Sequence, residues 1–148
     1  MKKRILILAL VLVSISSFSF ATDVPSINNL VLASFNREFV NAKEVKWESH
    51  KNFIKASFRI NDMTLSAYYL ANGDQLAVTR FISTTQLPLQ LLASLKKDYS
   101  AYWVSDLFEI HDDNGTSYYM TIENDSQIKV LESSFADNWS TYKVVEKL

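Results

Sequence analysis

Phe58-Arg59-Ile60-Asn61-Asp62-Met63-Thr64-Leu65-Ser66-Ala67-Tyr68-Tyr69-Leu70-Ala71-Asn72-Gly73-Asp74-Gln75-Leu76-Ala77-Val78 reads as strand, turn, strand, turn, strand. Part of it returns about fifty residues later: Phe108-Glu109-Ile110 answers Phe58-Arg59-Ile60, Asp112 answers Asp62, and Tyr118-Tyr119 answers Tyr68-Tyr69. After a slip of about two residues, Asn124, Gln127, Ile128 and Val130 answer Asn72, Gln75, Leu76 and Val78. Self-similarity at a fixed period marks a repeated structural unit. The content of the unit is sheet: apolar and polar residues alternate from Phe53 to Ile60, and Asn72-Gly73-Asp74 is a hairpin signal.

Upstream of each copy lies an amphipathic segment. Ile27, Val31, Leu32, Phe35 and Phe39 fall on one stripe at helical spacing, and Leu87, Leu91, Leu92, Leu95 and Tyr99 repeat it sixty residues on. Pro25-Ser26 opens the first helix; Thr84, Thr85 and Pro88 open the second. Strands are expected around Val45-Lys46-Trp47, Ile54–Ile60, 64–71, 75–82, 102–110, 116–123, 127–133 and 139–145. The second copy begins about ten residues closer to its helix than the first, which implies a lost or displaced opening hairpin. The expected fold class is α+β: a tandem repeat of helix plus antiparallel strand meander, one curved antiparallel sheet with two helices packed on one face.

The N-terminus reads as a signal peptide. Lys2-Lys3-Arg4 precede an apolar run from Ile5 to Phe20, and Ser19-Phe20-Ala21 precedes a cut after Ala21. Residues 1–21 are thus a leader, and 22–148 a single domain of two repeats, about 26–83 and 84–148. The chain has no Cys, which excludes disulfides, a thiol nucleophile, a thiolate metal site and a lipid-bearing N-terminal cysteine. Without Lys2, Lys3 and Arg4, the 15 basic residues fall to 12 against 16 acidic, a formal net charge of about −4. That balance speaks against a nucleic-acid partner.

Chemistry is sparse. His50 and His111 both sit in or beside turns, and Asp112-Asp113-Asn114-Gly115 lacks the spaced bidentate Glu of a calcium loop. There is no G-x-S-x-G, and two glycines cannot build a phosphate loop. The expectation is no catalytic, metal or cofactor residues, and no enzyme. What remains is aromatic. If Ile54, Phe58 and Ile60 face the helices, then Phe53, Lys55 and Arg59 face away, and by the same parity so do Trp103, Leu107 and Glu109. Each Tyr-Tyr pair sends one ring to either face. Phe53, Arg59, Tyr69, Trp103 and Tyr119 are the candidate protein-binding residues, because Trp, Tyr and Arg supply interface anchors.

The ordered run Phe35, Phe39, Ala42, Val45-Lys46-Trp47, Phe53, Ala56, Phe58, Tyr68-Tyr69, Asn72-Gly73, continued by Phe81-Ile82-Ser83, Gln86-Leu87-Pro88 and Tyr118-Tyr119, resembles the PepSY-like family of β-lactamase-inhibitor-like (BLIP-like) secreted proteins. The resemblance covers the mature chain and implies a concave sheet of two helix-plus-strands repeats, in a periplasmic or secreted protein of the Gram-negative envelope. It carries over no catalytic residues. Ala136-Asp137-Asn138 departs from it, standing where a glycine turn often precedes the last strand. Two functions follow: an exported binding module that docks a protein or peptide on its open sheet face, inhibitor-like; or a structural envelope protein that self-associates or holds a small lipophilic ligand. Neither requires a membrane anchor after leader removal.

Overall fold

A computed structural model of the chain describes residues 26–134 and 136–147. The leader, the proposed cut after Ala21 and Pro25 lie outside the described residues. Among the described residues the order is α1 (Asn29–Glu38), β1 (Lys43–Ser49), β2 (Ile54–Ile60), β3 (Met63–Tyr69), β4 (Gln75–Phe81), a 3-10 turn (Thr84–Gln86), α2 (Leu89–Asp98), β5 (Trp103–Asp112), β6 (Gly115–Glu123), β7 (Gln127–Ser134) and β8 (Ser140–Glu146). All eight strands join one antiparallel sheet in chain order, each beside its sequence neighbour.

The helices start where the side chains can satisfy their first N–H groups. Asn28 caps α1: its Oδ1 accepts from the Leu30 N–H at 2.8 Å, and its amide donates to the Ala71 carbonyl at 3.0 Å. The sequence reading opened this helix at Pro25-Ser26; the cap and its tie to the β3–β4 turn move the start to Asn29. Before α2 the Gln86 side chain accepts from the Ser83 N–H at 2.9 Å, and Pro88 stands at the N-cap. Arg37 and Lys96-Lys97 occupy the last turns, where the helix dipole favours cations. Both helices leave by the same turn, Ala42 N–H to Phe39 O and Tyr102 N–H to Tyr99 O, each 3.0 Å.

Each helix is therefore followed, after four residues, by four strands. No opening hairpin is missing from the second half, contrary to the sequence expectation. The fifty-residue self-match aligns β2–β4 with β5–β7, one strand out of step with the helices, which are sixty apart.

Strand register puts both helices on one face. Ala56 and Phe58 stand opposite Ala67 and Leu65, Ala67 opposite Val78, Val78 opposite His111, and Leu107 opposite Met120. Under α1 the core is aromatic: Phe35 meets Phe39, Trp47 and Phe58 at ring distances of 5.3, 5.1 and 5.0 Å, with Val31, Ala56, Ala67 and Tyr69 fully enclosed around them. Offset and edge-on arrangements suit the ring quadrupoles. Under α2 the core is mainly aliphatic, built on Leu87, Leu91, Leu95, Leu107, Met120, Ile122 and Leu131, with Tyr118 among them. Trp139 closes it, its indole N–H donating to the Leu91 carbonyl at 3.0 Å. Both predicted stripes thus face the cores, with Ile27, Leu92, Phe39 and Tyr99 packed at their margins.

Turn chemistry fixes the hairpins. Asn61 and Asp62 both have positive φ (47° and 66°), the two-residue turn whose twist matches a hairpin. Gly73, at φ 90°, packs under the helix: a Cβ there would lie 3.0 Å from the Leu30 carbonyl oxygen. Ala136, in the loop where the family resemblance leads one to look for glycine, takes φ 57° with its Cβ in place.

Two outcomes follow from these contacts. Gly73→Ala should lower stability by about 1–3 kcal/mol, since strain and a backbone clash combine. Gly115→Ala, at φ 116° with open space around it, should cost less. Urea midpoints of the two variants check this order. Burial pushes the Tyr69 hydroxyl up to about 12, with the Gln75 hydrogen bond opposing and Glu38 adding to the rise. The folded state then holds the Tyr69 proton longer than the unfolded chain. Its contribution is complete below pH about 10 and is lost between there and about 12. Tyr69→Phe should flatten the alkaline fall of the unfolding free energy across that window.

Candidate binding face

The face of the sheet away from the helices has no element laid over it among the described residues, yet its centre is closed. Tyr68, Ala77, Phe108, Ile110 and Tyr119 pack together there, with Phe53 and Leu76 against them. Tyr68 and Ile110 are each 2% exposed. Side chains of neighbouring strands, not a covering layer, exclude the water.

Register reads out the pattern row by row. In the middle row Lys46, Ser57, Ser66, Thr79, Ile110, Ser117 and Ser134 face one another across successive strands. The Ser57 and Ser66 hydroxyl oxygens lie 3.3 Å apart. Beside it runs an aromatic row. Phe81 stands opposite Phe108 and Phe108 opposite Tyr119, with ring distances of 6.1 and 5.7 Å, and Tyr142 reaches Tyr119 at 6.5 Å. On the other flank Tyr68 pairs with Lys55, Phe53 lies 5.8 Å from the Tyr68 ring, and His50 stacks on Phe53 at 4.4 Å.

The rim is polar at one end. Lys55 and His50 reach Glu48 at 3.3 and 3.5 Å, while Arg59 reaches Glu44 at 3.8 Å and Asp62 at 3.5 Å. At the other end Lys147 pairs with Glu123 at 2.8 Å and places its ammonium 4.9 Å from the centre of the Trp103 ring. The Lys147 ammonium, more than the Trp103 and Ser105 hydrogen bonds, holds the Glu123 carboxyl below the usual carboxylate range. Large apolar groups stay in water between these rims: Phe81 at 70% exposure, Trp103 at 49%, Tyr142 and Val145 in the forties.

Four of the five candidate residues come to this face. Phe53 and Tyr119 belong to its aromatic floor; Arg59 and Trp103 stand exposed at opposite ends. Tyr69 does not. It points under α1, fully buried beside Phe35 and Phe58, and Tyr68 takes the place on the open face. Each Tyr-Tyr pair does straddle the sheet, with Tyr118 toward α2 and Tyr119 away from it.

A second correction concerns β5. Leu107 and Glu109 were expected outward with Trp103, and Phe108 and Ile110 inward. The pairing with β6 slips between Val104 and Asp106, and one extra residue reverses every side chain beyond it. Trp103 and Val104 keep their expected faces; Leu107 enters the α2 core, and Phe108 and Ile110 become the floor of the open face. Glu109 goes to the helix side, where it binds Arg80 of β4 in two hydrogen bonds of 2.9 and 3.2 Å. The bulge has no glycine or proline to announce it, so Phe108 and Ile110 were not legible as site residues. Phe81 and Tyr142 had only period-two alternation to point to them.

His111 hydrogen-bonds Thr116 at 2.9 Å, and Asp112 accepts from the Asn114 N–H at 2.8 Å, a local turn. Among the described residues no group of three or more His, Asp or Glu side chains could hold a metal ion, and no helix is long and apolar enough to cross a membrane.

No protein-family model matches the chain, and no curated protein does. Solved structures do. A BLIP-like protein from Bacteroides fragilis is similar over 88% of this chain and 89% of its own, with a TM-score of 0.66 and 16% identity. A DUF2874 family protein from Bacteroides ovatus is similar over 85% and 89%, with a TM-score of 0.71 and 14% identity. A proposed periplasmic protein from Bacteroides eggerthii matches over 86% and 90%, with a TM-score of 0.69 and 9% identity. At these identities the likeness is one of fold. It carries the BLIP-like part of the resemblance read from the sequence; none of these three proteins is described as PepSY-like.

The Lys147–Glu123 contact is testable alone. It persists above the ordinary carboxylate range and is lost as pH falls through the lowered Glu123 value. Lys147→Ala should move the Glu123 titration midpoint upward, as followed by side-chain carboxyl NMR, and should shift Trp103 fluorescence.

Proposed function

We propose that this chain is an exported, non-catalytic binding module that docks a protein or peptide on the sheet face opposite its helices. One observation carries the reading: Phe81, Trp103, Tyr142 and Val145 remain in water around a closed aromatic floor, between two polar rims. Apolar surface gathered in this way, with aromatic and Arg anchors at its margins, has the composition of a protein interface. A floor of interlocked rings loses little side-chain freedom on binding, so docking there costs less ordering entropy than on a surface of long flexible chains.

Export follows from the basic and apolar leader, and the fold likeness to a proposed periplasmic protein is in keeping with an envelope location. The architecture reads as two helix-plus-four-strand halves, and the closure of the uncovered floor is what a curved sheet would produce. The likeness to a BLIP-like protein makes an inhibitor-like mode of docking the natural form of the proposal. A partner is bound on this reading without cofactor, metal or covalent chemistry. The alternative, a structural envelope protein that self-associates, is favoured by the exposed edge strand β8, whose seven residues all face solvent.

The test uses the mature chain as bait on native envelope and secreted fractions. Trp103→Ala should weaken the captured partner about tenfold or more, the loss typical of an interface anchor, and Arg59→Ala by less, as expected for a rim charge. Tyr69→Phe, on the buried side, should leave capture unchanged. Full affinity in both Trp103→Ala and Arg59→Ala would overturn the reading.

A further inference from the structure

The two edges of the sheet are built differently. β1 carries Lys43, Glu44, Lys46 and Glu48, breaks register between Lys43 and Lys46, takes a positive φ of 55° at Glu44, and ties its charges to Lys55 and Arg59. Charge and a bulge are what keep an edge strand from pairing with another chain. β8 carries fewer charges, Lys143 and Glu146, and its own register break, between Thr141 and Lys143, leaves Lys143 to Glu146 in regular pairing with β7. Tyr142, Val144 and Val145 are exposed at 44%, 45% and 43%, with apolar groups on both faces.

The backbone of β8 also shows which groups are free to pair. Lys147 N–H donates to the Ser126 carbonyl at 2.8 Å, and β8 runs antiparallel to β7 with Glu146 opposite Gln127. In an antiparallel ladder, residues alternate between facing the partner strand and facing away. Val145 and Lys143, in step with Lys147, therefore direct their N–H and C=O groups to β7. Val144 and Glu146 direct theirs outward.

The geometry points to a second copy of this chain as the occupant of that edge, through antiparallel β8–β8 pairing about a two-fold axis at Val144. A two-fold axis normal to the sheet returns each face to itself, so it must pass through a residue and not between two. With Lys143 on the axis, two ammonium groups would meet. With Val145 on it, Lys143 would face Lys147 of the second copy. Like charges directly opposite are destabilising. With Val144 on the axis, Val144 faces itself in a hydrogen-bonded pair and Lys143 lies beside Val145 of the second copy, the break at Tyr142 ending the regular pairing there. An axis at Glu146 would set two carboxylates together, so within the regular stretch from Lys143 to Glu146 the Val144 register alone leaves no like charges opposed, and it uses the outward-facing backbone groups at the axis. It joins two eight-stranded sheets into one of sixteen strands. The inference does not rest on the docking face.

The chain has no cysteine, which makes the register directly readable. A hydrogen-bonded antiparallel pair has its Cα atoms about 5.5 Å apart, within disulfide range. Under mild oxidation the mature Val144→Cys chain should cross-link to a dimer at least about tenfold faster than Val145→Cys or Lys143→Cys, whose registers are excluded. Sedimentation of the wild-type chain should show a mass rising with concentration toward twice the monomer. Val144→Lys should remain monomeric with its melting temperature kept, because the site is exposed, while Trp103→Ala should dimerise normally. A wild-type chain that stays monomeric at every concentration overturns the proposal and leaves the edge to a strand of another protein. Equal cross-linking at the three positions overturns the register, and a dimer unaffected by Val144→Lys overturns the use of β8.

Discussion

The pairing of β4 with β5 is the constraint on which the rest depends. Four register pairs, Val78 with His111 through Phe81 with Phe108, join the strands that follow α1 to those that follow α2. The Ile82 N–H extends the seam to the Leu107 carbonyl at 3.0 Å. Without it there would be two four-stranded sheets, each with an additional open edge. On the helix side the seam is clamped by Arg80 and Glu109, whose two-pronged hydrogen bonds join residues directly opposite one another. A partly buried pair of this kind stabilises modestly, about 1 kcal/mol, but its two-pronged geometry favours one register. On the other side the same strands place Phe81 against Phe108, so the seam builds the candidate face as it closes the sheet.

The slip between Val104 and Asp106 decides what that seam presents. A strand without the extra residue would send Phe108 and Ile110 into the α2 core and turn Leu107 and Glu109 to solvent. Glu109 could then not meet Arg80, and the aromatic floor would lose its middle. One residue thus couples the packing of the second core, the ion pair at the seam and the apolar character of the open face. The two cores differ accordingly: rings on rings under α1, Leu, Ile and Met under α2 with Trp139 as its cap. They are matched in plan, sixty residues apart, and not in composition.

The candidate face gains its chemistry from contrast. A closed floor of Tyr68, Phe108, Ile110 and Tyr119 gives rigidity, and the exposed rings at its margin give the apolar area that a partner could remove from water. The rims divide in kind, with lysines and Arg59 held by Glu44, Glu48 and Asp62 near β1, and the Lys147–Glu123–Trp103 group near β8. Such partly neutralised charges steer and orient a partner more than they hold it.

Periodicity by itself determined the helices, the eight strands and the faces of most of them. Val31 and Phe35, Leu91 and Leu95, Ala56 and Phe58 went where a 3.6- or two-residue repeat sends them, because burial of a stripe or of alternate side chains is a local rule. Phe53, Arg59 and Trp103 were legible as members of the open face for the same reason, whereas Tyr119 came there as one of a pair whose phase periodicity left open. Tyr69, Leu107 and Phe108 were not legible. A Tyr-Tyr pair is symmetric to a parity argument until a neighbouring strand fixes its phase. A bulge without glycine leaves no mark in composition, because it arises from how β5 accommodates β6. The self-match at fifty residues was real in sequence and out of step in space, since similar strands can occupy different places in one meander. Local patterns specify elements; register, which selects the face, is a relation between strands and is settled only when they pair.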